Sequence, residues 1–265
     1  MTNSEGRATI VAVVQQKGGT GKTTTVATLG DALQRRCNRS ILLVDLDPQA
    51  SLTEWLTTPE DPVEHGVEDL LIDQIDDVQK VLVALRTGLD LLPATNGLLD
   101  AAAALERRSL GRENVLARVL GRVRDDYDLI LVDGPPRLDG LTINGLFAAD
   151  QLIVPMETST LSMYAARDLL VLVREVEQVR GRHLPLLGLL PTSVRRSTNS
   201  TEILAALRER YPLLPSIRQT VRVEEAPAVH RLLLDYAPEC SAAEDYVAAA
   251  EERARRRLET RDGDE

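Results

Sequence analysis

Short apolar runs alternate with longer amphipathic stretches along most of the chain. Each run has the length of a strand buried on both faces of a sheet, and the stretches between them carry apolar residues at helical spacing. This alternation predicts an α/β fold, a single doubly wound and mainly parallel sheet flanked by helices. The predicted strands are 9–14, 41–44, 89–92, 129–132, 151–154 and 186–190, and the predicted helices are about 22–37, 97–122, 159–181, 199–211 and 241–260.

No internal repeat or low-complexity linker divides the chain, so we expect one domain over residues 9–258. The two ends, residues 1–8 and the acidic stretch 259–265, are predicted to be flexible. Residues 57–80 are acidic and contain two prolines, which favours an excursion on the surface of the domain. With 43% hydrophobic residues in a length of 265, the chain can bury a sizeable core.

The composition narrows the possible partners. A formal net charge of -10 means that the molecule as a whole is repelled by DNA and by anionic membranes, so either partner requires a local basic patch. Aromatic residues make up only 3%, which leaves few stacking platforms for single-stranded nucleic acid and favours contacts to backbone phosphates. Cys37 and Cys240 have no second cysteine or histidine at metal spacing, so we expect no disulfide framework, no zinc site and a reduced, cytoplasmic setting.

A glycine-rich segment, QQKGGTGKTT, follows the first predicted strand and opens the first predicted helix. It departs from the phosphate-loop pattern G-x-x-x-x-G-K-[ST] because Gln16 occupies the place of the first glycine, and Lys17 follows it. Lys22 is placed to bridge terminal phosphates, and the Thr23 hydroxyl is placed to bind magnesium. An ordinary glycine-rich turn is the alternative. The predicted phosphate-binding residues are Lys17, Gly18, Gly19, Thr20, Gly21, Lys22, Thr23 and Thr24.

Acidic residues follow two of the predicted strands. Asp45 and Asp47 come after the second strand, and Asp133 comes after the apolar run LILV. Because the carboxyl ends of parallel strands line the ligand crevice, these acids are expected to face the same phosphates. We predict that Asp133 anchors magnesium together with Thr23, that Asp45 orients or polarises the attacking water, and that Asp47 shapes its loop. Each acid could instead be a helix cap or turn residue.

The chain resembles the deviant Walker A ATPases of the ParA/MinD superfamily, specifically the DNA-partitioning ParA/Soj branch. The resemblance runs from Ile10 to about Ala249 through KGGTGKTT, LLVDLDPQ, YDLILVDGPP, LTINGLFAADQLIVPM and VRVEEAP. It implies a P-loop ATPase domain over residues 9–258 that uses ATP and Mg2+, with Lys17, Lys22 and Asp45 as catalytic residues. It also implies that Lys17 crosses the interface of an ATP-bound homodimer to the phosphates held by the other subunit, the alternative being a lysine that only decorates the loop.

The resemblance further implies nonspecific binding of double-stranded DNA by an ATP-bound dimer. The implied contacts are Arg195, Arg196, Arg218 and Arg222, with Arg231 as a weaker candidate. Arginine suits this task because its guanidinium grips phosphates without reading bases. Solvated surface arginines would give the same pattern.

The segment VRVEEAP resembles the family stretch that lies against adenine, which assigns Val223 and Pro227 to the base, although a buried connecting segment fits it too. Two positions depart from the family pattern. Gln15 replaces a usual asparagine, and Gly134 replaces a common cysteine. Neither change removes a group that the phosphate chemistry needs.

The family implies a nucleoid-associated role in segregating chromosome or plasmid DNA, with hydrolysis stimulated by a ParB-like centromere-binding protein. One alternative is a MinD-like or protein-cargo-positioning ATPase acting on membrane or a protein assembly. The tail AAEDYVAAAEERARRRLETRDGDE has mainly alanine as its apolar residues and ends acidic, so we expect no membrane binding. A metabolic or metal-cluster ATPase and a degenerate nucleotide-dependent scaffold are further alternatives. The scaffold is disfavoured by the intact Lys22, Thr23, Asp45 and Asp133.

Overall fold

Seven strands of the described residues form one sheet in the order β3-β4-β2-β5-β1-β6-β7. The computed structural model describes residues 7–58, 60 and 62–262. All neighbouring strands are parallel except β3 and β4, which confirms the predicted α/β fold with a mainly parallel sheet. The strands are β1 Thr9–Val13, β2 Ile41–Asp45, β3 Val83–Arg86, β4 Leu89–Leu92, β5 Leu129–Asp133, β6 Gln151–Glu157 and β7 Leu186–Thr192.

Helices cover both faces of this sheet. In the described part of the chain they are α1 Lys22–Cys37, α2 Ser51–Leu56, α3 Val67–Leu71, α4 Leu98–Glu106, α5 Val115–Gly121, α6 Gly140–Ala148, α7 Thr160–Arg180, α8 Thr198–Arg208, α9 Arg222–Ala228, α10 Leu233–Tyr236 and α11 Ser241–Asp262. Short 3-10 helices lie at Val78–Lys80 and Arg112–Asn114. None of the described helices combines the length and the apolar character that crossing a membrane requires.

Successive side chains of the central strands point to opposite faces of the sheet and pack into two cores, one on each face. On β1, Ile10 and Ala12 join the core that includes residues of α5, α6 and α7. Val11 and Val13 join the opposite core, which includes residues of α1 and α11. The strands β1, β2 and β5 are buried along their whole length, as their continuous apolar runs predict.

The register of the central strands brings two acidic residues together. Val13 of β1 and Asp45 of β2 both lie opposite Asp133 of β5. The three strands therefore end at the same level, and the segment that follows β1 begins beside the two carboxylates. This edge of the sheet is where an open parallel sheet binds its ligands.

The single helix predicted over 97–122 is wrong in its middle. Helix α4 ends at Glu106, Gly111 adopts a left-handed backbone with φ of 68°, and α5 begins at Val115. Buried Asn144 fixes the new start, because its Oδ1 accepts hydrogen bonds from the backbone N–H groups of Val115 and Leu116, each at 3.1 Å. A side chain 28 residues away along the chain thus decides where α5 begins.

Several short elements were not predicted. Strand β3 pairs antiparallel with β4 across a turn at Gly88, whose φ is 77°. The stretch 57–80 is not only a surface excursion, because it contains α3 with Val67, Leu70 and Leu71 buried in the core. The unpredicted helices α2, α6, α9 and α10 have at most nine residues each, too few for a clear periodic pattern.

The predicted ends differ in part from the structure. Residues 1–6 of the predicted flexible N-terminus lie outside the described residues, but Ala8 is buried and its N–H donates to Arg124 O at 2.8 Å. Helix α11 continues to Asp262, beyond the predicted domain end at 258. Residues 263–265 of the predicted acidic tail lie outside the described part of the chain.

Substituting Gly30→Ala should destabilise the fold even though alanine is the better helix former. A Cβ at Gly30 would lie 2.6 Å from Leu43 Cδ2 and 3.4 Å from Leu131 Cδ1, both in the buried core. We expect a loss of about 1–3 kcal/mol in the free energy of unfolding, measured by urea denaturation. Gly121→Ala is the matched control, because a Cβ there meets no atom within 4 Å. Equal effects at the two glycines would contradict this packing account.

Candidate nucleotide-binding site

The loop between β1 and α1 has the backbone shape of an anion cradle. Gly19 and Gly21 adopt left-handed conformations with φ of 73° and 79°, which glycine reaches without steric cost. Gly21 is the N-cap of α1, which has no side-chain cap and no acidic residue in its first turn. The N–H groups and the positive end of this helix dipole are therefore available to a bound anion.

Hydrogen bonds to two neighbouring strands, β6 and β7, hold this loop. Gln15 is buried, and its Nε2 donates to Pro155 O on β6 at 3.4 Å while its Oε1 accepts from Gln16 N at 2.8 Å. Thr192 at the end of β7 donates through Oγ1 to Thr20 O at 2.8 Å. The glutamine that departs from the family pattern thus anchors the loop to the sheet.

Lys22 is a buried cation, only 7% exposed. Burial lowers the pKa of its ammonium, and the charges of Asp133 and Asp47 act in the opposite direction. Phosphate oxygens at the α1 N-terminus would supply the negative partners that a buried ammonium needs.

Asp45 is held by three hydrogen bonds at the end of β2. Its Oδ2 accepts from Thr53 N at 2.9 Å and Thr53 Oγ1 at 2.8 Å, and its Oδ1 accepts from Asp47 N at 3.1 Å. Burial raises the pKa of Asp45 to about 6, although the Thr53 and Asp47 hydrogen bonds oppose the shift. Asp47 shapes the following turn, as expected, because its Oδ1 accepts from Gln49 N at 3.0 Å.

Asp133 lacks the support that Asp45 has. Both of its carboxylate oxygens are buried without a hydrogen-bond partner of normal geometry in the described part of the chain. Burial and the negative charge of Asp45 raise the pKa of Asp133 well above its usual range, and the Thr23 hydroxyl and the Lys22 ammonium act against this shift.

The donor set around Asp133 fits a magnesium ion completed by phosphate. Carboxylate and hydroxyl oxygens are ligands that Mg2+ prefers, and Asp133 and Thr23 supply one of each. Among the described residues no group of three or more His, Cys, Asp or Glu side chains could hold a metal by itself. In nucleotide sites Mg2+ is commonly held by one or two side chains and by phosphate oxygens, and Asp133 and Thr23 could serve as such ligands.

Lys17 is engaged within its own chain. Its Nζ forms an ion pair with Glu157 Oε2 at the end of β6 and lies 3.5 Å from Ser162 Oγ in the first turn of α7. Lys22, by contrast, lies buried beside the acidic strand ends. The two lysines of the loop thus have different partners.

Comparisons with known proteins give the family of this chain. The family model described as an AAA domain matches residues 8–185. The chromosome-partitioning ATPase Soj of Thermus thermophilus is 36% identical over 91% of this chain and 94% of that protein. The chromosome partitioning protein ParA of Caulobacter vibrioides is 31% identical over 92% of each. The solved structure of a cobyrinic acid a,c-diamide synthase from Mycobacterium smegmatis, with a bound ATP analog and magnesium, covers 92% of this chain and 93% of its own at 36% identity and a TM-score of 0.78.

The chain belongs to the ParA/Soj family of P-loop ATPases. It is accordingly an ATP hydrolase whose cofactors are ATP and Mg2+. In this ParA/Soj ATPase, the phosphate loop, Lys22 and the two strand-end carboxylates occupy one edge of the sheet. The predicted phosphate-loop residues are thus brought together with Asp45 and Asp133.

Of the two residues predicted to contact the base, only Val223 lines a cavity next to the phosphate loop. Gly21, Thr24, Val223 and Tyr246 are among the residues that line a small cavity of about 60 Å³ next to the phosphate loop. Pro227 lies inside α9 and is not among the lining residues. Val223 therefore stays the better of the two predictions for a base contact.

Three of the arginines predicted to bind DNA lie close to one another, and Arg231 lies elsewhere. Backbone hydrogen bonds between Val194 and the strand-like segment at Ile217 and Gln219 bring Arg195 and Arg196 close to Arg218. Arg231 instead lines a separate cavity of about 520 Å³ together with Leu56 and Asp235.

Two of these arginines already have acidic partners. The Arg218 guanidinium donates to Asp245 and Glu244 of α11, and these carboxylates raise its pKa above the ordinary value. Arg222 donates to Glu225 at 2.6 Å. Arg196 is exposed, and Arg195 donates to the neutral Gln219. Of these four arginines, Arg195 and Arg196 are therefore less neutralised by carboxylates than Arg218 and Arg222.

Sequence patterns did not reveal the residues that support the site. Thr53 holds Asp45 from eight positions away, Thr192 holds Thr20 from 172 positions away, and Glu157 pairs with Lys17 from 140 positions away. Thr53 lies on α2, just after the strand that ends in Asp45, whereas Thr192 and Glu157 reach the loop through the packing of β6 and β7 beside β1. The one available signal was that Glu157 and Thr192 lie two or three residues beyond the predicted strands 151–154 and 186–190.

Substituting Asp133→Asn should remove the stabilisation by Mg2+-ATP without lowering the stability of the free protein. The pKa of Asp133 is higher in the folded protein than in the unfolded chain, so ionisation of this carboxyl at high pH lowers the stability of the fold. Asparagine is neutral at every pH and avoids this loss of stability. In thermal unfolding at pH 7 we expect an unchanged or higher melting temperature without ligand, and loss of most of the shift that Mg2+-ATP produces.

Asp77→Asn is the control for the Asp133 variant, because asparagine can still cap the exposed 3-10 helix at Val78–Lys80. It should keep the full shift with Mg2+-ATP. A full Mg2+-ATP shift in Asp133→Asn would contradict the metal assignment.

Proposed function

We propose that this ATPase dimerises when it holds ATP, binds double-stranded DNA without sequence preference, and segregates chromosome or plasmid DNA. A ParB-like partner stimulates hydrolysis and thereby releases the dimer from DNA on the nucleoid. The observation that carries the proposal is Lys17, a second lysine in a phosphate loop that already has the buried Lys22. Relatives named as chromosome-partitioning proteins support the biological role.

Each polar or charged residue of the site has a distinct role in this proposal. Lys22 and the N–H groups of the loop hold the terminal phosphates, and Thr23 and Asp133 hold Mg2+, which when bound neutralises charge on the phosphate oxygens. Lys17 of one subunit stabilises the charge that develops on the phosphates held by the other. Two half-sites are therefore completed only in the dimer.

Asp45 orients the attacking water. A carboxylate has about four lone-pair sites, and Thr53 and Asp47 occupy three of them. The remaining site can accept a hydrogen bond from water. Burial raises the pKa of Asp45, and the ionised carboxylate is the form that accepts this hydrogen bond.

A reaction on a small molecule is the second candidate function. It is favoured by the 36% identity to the Mycobacterium smegmatis protein named as a diamide synthase. A MinD-like or protein-cargo-positioning ATPase is a further alternative, but the apolar positions of α11 are mainly alanine and would gain little from burial in lipid. These candidates differ from the main proposal in a single measurable step, the ATP-dependent binding of DNA.

Binding to a random duplex DNA fragment should appear only with ATP or a slowly hydrolysed ATP analogue. Neither ADP nor the absence of nucleotide should support it, and Lys22→Ala should abolish it because the phosphates lose their buried cation. Fluorescence anisotropy at two salt concentrations checks this. If the protein holds and hydrolyses ATP but never binds DNA, the partitioning function is wrong and a small molecule, membrane or protein cargo takes its place.

Replacing Arg196 with alanine should weaken DNA binding about equally for all sequences. Each lost phosphate contact should reduce the slope of log affinity against log salt by about 0.9. Arg107→Ala, at another exposed arginine at the end of α4, is the control and should leave the slope unchanged. An unchanged slope in Arg196→Ala would show that this residue does not contact DNA.

Asp245→Asn should strengthen DNA binding, because it removes one of the carboxylates that pair with Arg218.

A further inference from the structure

The resting position of Lys17 is set by an acidic residue of its own chain. Its ammonium pairs with Glu157, and the two side chains are 29% and 35% exposed. A half-buried ion pair has less water around it than a surface pair, so it is screened less by salt. An ammonium held in this way is not available to a second subunit.

The surroundings of Glu157 fix where this pair forms. Glu157 lies opposite Thr192 in the β6–β7 register, and Thr192 Oγ1 also holds Thr20 of the phosphate loop. On the other side, Ser162 is buried, lies 3.5 Å from Lys17 Nζ, and is 2.9 Å from Ser159 Oγ at the N-cap of α7. The carboxylate and the loop are thus attached to the same strand ends.

We propose that Glu157 is a positioning residue for Lys17, which holds the ammonium in its own subunit until the phosphates of a second subunit compete for it. The inference rests on the proposed function, in which Lys17 acts across a dimer. The Lys17 ammonium can pair either with the Glu157 carboxylate or with the phosphates of the second subunit, but not with both at once. Those phosphates can compete with Glu157 because a nucleotide with bound Mg2+ still has more than one negatively charged oxygen. Glu157 therefore sets the protein concentration at which ATP produces dimers.

Removal of the Glu157 charge tests this role. Glu157→Gln keeps the shape and a hydrogen-bond acceptor but no longer holds an ammonium by charge. Since two such pairs open per dimer, we expect a roughly tenfold lower protein concentration for half-maximal dimerisation in the slowly hydrolysed ATP analogue. Sedimentation velocity measures this, and Glu175→Gln on the exposed face of α7 is the matched control that should behave as wild type.

A second readout separates positioning from a general change in the fold. The protein concentration that gives half of the maximal ATPase rate should fall by about the same factor, while the affinity of the monomer for the ATP analogue stays within about twofold. Glu157→Asp retains the charge on a shorter stem, so it should shift dimerisation in the same direction by less. If Glu157→Gln has a lowered melting temperature, Glu157→Asp is used in its place to test the proposal.

The double variant with Lys17→Ala identifies the group through which Glu157 acts. In that background, Glu157→Gln should have no further effect on dimerisation. If it still strengthens the dimer, or if the single variant with an unchanged melting temperature dimerises no better than wild type, the positioning role is wrong. Absence of any ATP-dependent dimer in the wild type, or a dimer that forms equally well in Lys17→Ala, would instead refute the proposed function.

Discussion

The structure depends on the burial of two carboxylates next to each other at the ends of β2 and β5. Asp45 and Asp133 are register partners, and both have raised pKa values because burial disfavours their charged forms. Asp45 is compensated by Thr53 and Asp47, whereas neither oxygen of Asp133 has a hydrogen-bond partner of normal geometry among the described residues. A buried carboxylate without partners costs about 1–3 kcal/mol or more in its charged form. The free protein therefore carries an electrostatic cost that a magnesium nucleotide can remove.

The same strand ends also control the phosphate loop. The loop is held to β6 through Gln15 and Glu157 and to β7 through Thr192. The segments that follow these strands lead into α7 and into the loop that carries Arg195 and Arg196. In the proposed function, a nucleotide that moves Lys17 acts on the strand ends from which the DNA-binding loop begins.

The sequence was sufficient for the parts of the protein that local chemistry determines. Continuous apolar runs located six of the strands, and the phosphate loop was recognisable because its glycines, Lys22 and Thr23 are adjacent in sequence. The antiparallel strand β3 was missed because it has four residues at the sheet edge. The break in helix 97–122 and the supports of Asp45 and Lys17 were missed for another reason. Asn144 and Glu157 are far away in sequence and are brought near only by the fold, and Thr53 lies on the short helix α2, which has too few residues for a periodic pattern.

The action of Lys17 across two subunits is the central claim, and mixing two inactive variants tests it most directly. Lys17→Ala keeps its own Asp45, and Asp45→Asn keeps a functional Lys17. At protein concentrations high enough to make both variants fully dimeric with ATP, about half of the dimers in an equal mixture contain one subunit of each kind, and each of these has one complete site. We predict that the mixture recovers about a quarter of the wild-type ATPase rate, although each variant alone is inactive. If both variants bind ATP and the mixture stays inactive, Lys17 does not act on the nucleotide of the other subunit.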